Sequence, residues 1–142
     1  IISTGAADFW EVEKTFNYVI DMNPNVVIMQ CTSIYPAKPI TINLNVISTY
    51  RDRFPNTVIG YSGHDSGISI PVAAYALGAR FIEKHFTLDK NLSGPDHAAS
   101  LEPKELKKLV SSIRNVNLAM GDGIKVVTAG EVPIREKLRR VQ

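Results

Sequence analysis

Val58 to Asp96 reads VIGYSGHDSGISIPVAAYALGARFIEKHFTLDKNLSGPD, and this stretch decides the fold. Thr57 to Tyr61 has the apolar content of a strand, and Ser62-Gly63-His64-Asp65 is a loop. A short helix runs from about Ser69 to Leu77, with Pro71 tolerated in its first turn and Gly78 at its C-terminal end. Phe81 to Phe86 is a further strand, and a long polar loop then leads through Gly94-Pro95-Asp96-His97. His64 and His85 therefore fall at the C-terminal ends of two successive strands joined by one helix, where parallel neighbours stand close. Glu83 lies two residues before His85, so strand alternation aims both at one face. A single histidine at a strand end is ordinarily a hydrogen-bonded structural residue. Two at equivalent positions of adjacent βα units, with a carboxylate on the same face, point to a site. Imidazole suits Mn, Fe, Co, Ni and Zn, and two ligands do not choose among them.

The pattern extends in both directions. Ile1 to Ser3 reads as the end of a buried strand. Asp8 with Glu11 makes a capping-box start for a helix, in which Phe9, Val12, Phe16, Val19 and Ile20 recur at helical spacing until Asn23-Pro24. Val26 to Cys31 is a continuous apolar run, the mark of a strand covered on both faces. An irregular loop, Thr32 to Pro39, carries Tyr35. Leu44, Ile47, Tyr50 or Arg51, and Phe54 then mark a second helix ended by Pro55. Pro103 starts a last long helix whose Leu106, Leu109, Val110, Ile113, Val116 and Met120 face a core, with Gly121 past its end. A short strand is expected at Lys125 to Val127. The order β-α-β-α-β-α-β-α is a parallel α/β pattern, and four such units are half of a (β/α)₈ barrel. The opening without an initiator Met and the charged close are read as a fragment of a longer protein.

Composition bounds the function classes. The chain has 142 residues, 44% hydrophobic and 21% charged, which suits one domain with a real core. A net charge of +2 is too small to argue for nucleic acid or a membrane surface. The basic residues Arg135, Lys137, Arg139 and Arg140 read as a solvated tail. A lone cysteine, Cys31, excludes an internal disulfide and fits a reducing cytoplasm. No apolar run approaches the roughly 18 residues of a membrane span, and no signal-peptide pattern opens the chain.

Each strand ends in small polar or ionisable residues, where chemistry gathers in parallel α/β folds. No βα turn carries a dinucleotide fingerprint or a Walker pattern. Ser62-Gly63-His64-Asp65-Ser66-Gly67 precedes a helix and has two readings, an anion cradle of backbone N–H groups and hydroxyls or a plain glycine-rich turn. Tyr35 is a site residue or a packing aromatic, and Asp96 a site residue or a turn carboxylate. Asp65, Asp89 and Lys84 are read as surface or supporting charges, and Cys31 as a buried, unactivated thiol.

Taken in order, Gln30-Cys31-Thr32-Ser33-Ile34-Tyr35-Pro36, Gly60-Tyr61-Ser62-Gly63-His64, Glu83-Lys84-His85-Phe86-Thr87, Gly94-Pro95-Asp96-His97 and Ser100-Leu101-Glu102-Pro103 resemble the sialic acid synthase family. That family includes the legionaminic and pseudaminic acid synthases, and the match runs from Ile2-Ser3-Thr4-Gly5 to Gly130-Glu131. The resemblance implies strands five to eight of a (β/α)₈ TIM barrel in residues 1–121. Residues 122–142 would be the barrel end and a linker toward an antifreeze-like C-terminal domain.

It also implies the reaction. Family members condense phosphoenolpyruvate with an N-acetylhexosamine, such as N-acetylmannosamine, its 6-phosphate or a diacetamido sugar, and release phosphate. They use a divalent metal, typically Mn²⁺, with Mg²⁺ or Co²⁺ as alternatives. By position, His64 and His85 match the metal ligands. Ser3, Ser33 and Ser62 match positions that contact phosphoenolpyruvate, and Tyr35, Glu83 and Asp96 match residues around the amino sugar. Glu83 and His85 are the expected catalytic pair. The resemblance further implies a homodimer of the full-length protein, and an inactive 142-residue piece, because the first four strands supply further phosphoenolpyruvate contacts. Two other readings remain open: a different metal-dependent barrel aldolase or hydrolase, and a non-catalytic sugar-binding paralogue in surface polysaccharide biosynthesis.

Overall fold

The computed structural model describes residues 1–139. Four parallel strands, β1 (Ile2–Ser3), β2 (Val27–Cys31), β3 (Val58–Gly63) and β4 (Phe81–Lys84), lie side by side in sequence order. Helices α1 (Phe9–Ile20), α2 (Val46–Arg53) and α3 (Ser69–Ala76) make the crossovers. Helix α4 (Pro103–Met120) follows β4, and α5 (Val132–Leu138) is the last element. This is the expected α/β class with an all-parallel sheet.

Local sequence explains the helix ends. The Glu11 carboxylate accepts the Asp8 backbone N–H at 2.7 Å, so α1 begins on its capping box. Gly78, at φ 111°, ends α3 in a conformation that disfavours a side chain. The absent Cβ leaves room for the Arg51 guanidinium, which donates to the Leu77 carbonyl at 3.1 Å and ties α2 to the end of α3.

Strand register sorts the sheet into two faces. Ile28, Ile59 and Tyr61 point to the helix side, where they are buried with Val12 of α1, Ile47 and Tyr50 of α2, and Ala74 of α3. On the other face Ser3, Met29, Gly60 and Phe81 stand level across the four strands, with Cys31, Ser62 and Glu83 one layer nearer the strand ends. Those three lie directly beneath the loops that carry Tyr35, His64 and His85.

Gly60 sets the closeness of that face. A Cβ there would stand 3.0 Å from Met29 Cγ, Phe81 Cβ and the Phe81 carbonyl oxygen. Moving the carbonyl means straining the β3–β4 ladder. Gly60→Ala is therefore expected to cost about 1–3 kcal/mol, read as a lower urea midpoint of the full-length protein.

The elements differ from expectation in five places. β3 continues past Tyr61 to Gly63 because Ser62 and Gly63 find ladder partners in Glu83 and Lys84. β4 stops at Lys84 rather than Phe86, since Phe86 pairs with Leu101 instead of with β3. A 3₁₀ turn, Pro39–Thr41, precedes α2 where an irregular loop was expected. Lys125 to Val127 forms no strand, for no neighbouring chain offers it a ladder, and the segment is exposed. Helix α4 buries only Leu109 fully, with Leu106, Val110 and Met120 left exposed. Its main packing partner is α3, and Leu106 and Leu109 also border a groove beside β4, so its apolar stripe is wider than the surface it meets. Arg140 of the basic tail, with the end of segment 122–142, lies outside the described residues.

Candidate functional site

The histidines meet above the β3 and β4 ends. His64 and His85 follow their strands directly, and their ring centroids are 5.2 Å apart. Tyr35, on the loop after β2, lies 4.0 Å from the His64 ring and 5.7 Å from the His85 ring, edge-on to the latter. His64 is buried, and its Nδ1 lies 2.8 Å from the Thr32 carbonyl oxygen. A carbonyl only accepts, so the proton sits on Nδ1 and the Nε2 lone pair is left for a ligand. Cys31 Sγ lies 3.9 Å from the same nitrogen, a buried thiol at the foot of the ring.

Two carboxylates approach this pair. Glu83 Oε1 accepts the Ser62 hydroxyl at 2.7 Å, a cross-strand contact made by their shared register. Ser62, His64, Glu83 and His85 line a cleft of about 100 Å³. The Asp96 carboxylate stands 3.8 Å from His85 Nδ1, although ten residues of chain separate them. The loop that carries Asp96 is closed at its base. Leu101 donates its N–H to the His85 carbonyl at 2.8 Å, and Thr87 donates to the Leu101 carbonyl at 3.0 Å. Higher in the loop, the Thr87 hydroxyl lies 2.8 Å from His97 Nδ1, and Ser100 Oγ donates to the Asp96 carbonyl at 2.7 Å.

The structure thus brings His64, His85, Tyr35, Ser62, Glu83 and Asp96 into one cluster. Ser3 and Ser33 stand apart from it. Ser3 is exposed in the lower layer beside Met29. Ser33 lies against Gly5, in a groove of about 560 Å³ that also takes in Thr4, Cys31 and Thr32.

One group at the site was read too blandly from the sequence. Asp65 and Lys84, taken as surface or supporting charges, form a buried ion pair. Lys84 Nζ is 3.3 Å from Asp65 Oδ1, with side chains only 3% and 2% exposed, and it also donates to the Asp65 backbone carbonyl. Tyr61 donates its hydroxyl to Asp65 Oδ1 at 2.8 Å. Burial lowers the Lys84 ammonium pKa against the opposing pull of the Asp65 charge. Burial, and then the hydrogen bond and charge of Asp65, raise that of the Tyr61 phenol. Asp65 Oδ2 is buried without a hydrogen-bond partner. The available signal was adjacency: these residues flank the two histidines.

A divalent cation can be tested against these donors. Among the described residues no group of three or more His, Cys, Asp and Glu side chains is set to enclose a metal. The two imidazoles, one with its Nε2 freed by the Thr32 carbonyl, suit a borderline cation whose other positions are filled by water or substrate oxygens. The donor set fits an open site and not a structural one.

The chain is similar to known proteins along most of its length. The family model described as NeuB family matches residues 1–125. The chain is 48% identical over 138 residues to human N-acetylneuraminate-9-phosphate synthase, covering 97% of this chain and 38% of that protein. It is 49% identical over 134 residues to N,N'-diacetyllegionaminic acid synthase of Campylobacter jejuni, covering 92% and 40%. The crystal structure of N-acetylneuraminic acid synthetase from Leptospira borgpetersenii, in complex with citrate, superposes with a TM-score of 0.83 at 37% identity, over 98% of this chain and 50% of that one. The chain therefore spans half or less of the length of these relatives.

Proposed function

The chain belongs to the NeuB family, and on that premise we propose that it is part of a synthase of sialic-acid-like nonulosonic acids. Its four units would be strands five to eight of a (β/α)₈ barrel. Support comes from the four successive βα units and from the half coverage of the Leptospira chain. The reaction would join phosphoenolpyruvate to an open-chain N-acetylhexosamine. Human and Campylobacter relatives named for different products leave N-acetylmannosamine, its 6-phosphate and a diacetamido sugar as the candidates. The observation that carries the reading is the apposition of His64 and His85 beside Glu83 and Asp96.

The aldehyde of an open-chain sugar is a weak electrophile, and a Mn²⁺, Mg²⁺ or Co²⁺ ion held by His64 and His85 would polarise its oxygen. C3 of phosphoenolpyruvate attacks the aldehyde carbon, water adds to the cationic C2, and the tetrahedral intermediate loses phosphate by C–O cleavage. Glu83, anchored by the Ser62 hydroxyl, would hold or move a proton at the forming hydroxyl or the attacking water. Tyr35 and Asp96 would hold sugar hydroxyls so that the aldehyde meets C3 in a reactive pose. Ser3, Ser33 and Ser62 would face phosphoenolpyruvate. Ser62 in the cleft and Ser33 in the groove would suit an elongated pair of substrates, with Ser3 a layer below. The whole protein would act as a homodimer in the cytoplasm. No described helix is long and apolar enough to cross a membrane.

Phosphate release tests the proposal. The full-length protein with Mn²⁺ is expected to release phosphate only when both phosphoenolpyruvate and one of the three sugars are present. Residues 1–142 alone are expected to release none. Release without a sugar would point to a hydrolase, and silence with every sugar from folded, Mn²⁺-loaded protein would favour a sugar-binding paralogue.

A further inference from the structure

The buried pair of Asp65 and Lys84 occupies an unusual place. Each residue adjoins one of the two histidines, Asp65 directly after His64 and Lys84 directly before His85. Lys84 pairs in register with Gly63, so the ion pair crosses from one strand end to the other. It is attached to backbone as well as side chain, since Lys84 Nζ also donates to the Asp65 carbonyl. Tyr61 fixes the carboxylate from below at 2.8 Å. Gly63, between them, has no Cβ, and one built there would meet Asp65 Oδ1 and Tyr61 Cε1 at 2.6 Å. A side chain at Gly63 would therefore collide with the network.

Energetics make this arrangement hard to explain as stability alone. A buried ion pair can often be replaced by apolar residues of similar volume without loss. Here one carboxylate oxygen, Asp65 Oδ2, is also left without a hydrogen-bond partner, a cost that an apolar pair avoids. What an apolar pair lacks is a directional bond between the two backbones. We propose that Lys84 and Asp65 are positioning residues: their ion pair sets the separation of His64 and His85 and so the affinity of the site for a divalent cation. The inference rests on the proposed metal role of those histidines. Lys84 borders the cleft, but its ammonium is engaged by the Asp65 carboxylate and carbonyl, so the pair acts through the histidines beside it.

Titration of Mn²⁺ alone into the full-length protein, followed by the electron paramagnetic resonance signal of free Mn²⁺, tests the idea. Lys84→Met, Asp65→Asn and the double variant Asp65→Leu/Lys84→Met are compared below their melting temperatures, with native near-ultraviolet circular dichroism as the check on folding. Loss of a group that orients a metal ligand typically weakens binding about 10- to 100-fold, and a loss in that range is expected for each variant. The double variant separates geometry from stability, since it should recover most of the melting temperature lost in Lys84→Met while keeping the weakened Mn²⁺ affinity. Folded variants that bind Mn²⁺ within about twofold of wild type would overturn the positioning role. Wild-type protein that takes up no Mn²⁺, or a His64→Ala variant that binds it as well as wild type, would overturn the metal reading beneath it.

Discussion

His85→Ala in the full-length protein is expected to abolish sugar-dependent phosphate release, with kcat/KM down by well over a hundredfold. Removing a mere outer partner of a metal ligand costs about 10- to 100-fold, and His85 is proposed as a ligand itself. Its surroundings amplify the loss. The ring stands 5.2 Å from His64 and 3.8 Å from the Asp96 carboxylate, so its removal takes away one proposed metal donor and one neighbour of the carboxylate proposed to hold the sugar. His64→Ala should fall equally far. Its ring is anchored through Nδ1 to the Thr32 carbonyl, and no other imidazole reaches that place. Steady-state phosphate release at saturating Mn²⁺ measures both. Activity within tenfold of wild type in either variant would exclude the two-histidine mechanism.

Lys84→Met should produce the largest stability loss, about 3–5 kcal/mol, the usual penalty for stripping one partner from a buried ion pair. The lysine side chain is 3% exposed and its carboxylate partner 2%, so neither water nor mobile counterions can replace the lost charge. Asp65 would be left with the Tyr61 hydroxyl as its one side-chain donor and with Oδ2 still unpartnered. Chemical denaturation of the full-length protein reads the loss. Adding Asp65→Leu should recover most of it, because the stranded charge is then gone. A single variant within about 1 kcal/mol of wild type, as for exposed ion pairs, would mean that water enters between Tyr61 and Lys84.

These two cases mark how far the sequence could be read. The histidines were legible because strand period and βα spacing are local: His64 and His85 needed no knowledge of distant chain. Tyr35 and Asp96 needed the family resemblance, since a tyrosine before proline and an aspartate after proline are ordinary loop residues. Of the two readings of Asp65 and Lys84, surface or supporting charges, the structure supports the second, and the sequence left them undivided for a physical reason. Charge predicts exposure, and only the β3–β4 register, with Gly63 opposite Lys84, brings the two within reach of each other. The early end of β4 was hidden similarly, because Phe86 takes its partner from Leu101, fifteen residues on. At Lys125 to Val127 the error ran the other way. Val126 and Val127 favour strands intrinsically, but propensity yields to context when no neighbouring strand offers a ladder.

The loop from Leu88 to Ser100 is tied off beneath its own tip, by backbone bonds among His85, Thr87 and Leu101. It behaves as an interchangeable cassette. Lengthening it would cost little closure entropy, since each doubling of a flexible loop adds only about 0.6 kcal/mol, and the bonds at its base hold the His85 backbone while Asp96 can shift against its ring. Asp96 rides within the cassette, while His64, His85 and Glu83 stand on the scaffold. If Asp96 holds a sugar hydroxyl as proposed, a change of loop can alter that contact without moving the groups proposed to make the carbon–carbon bond.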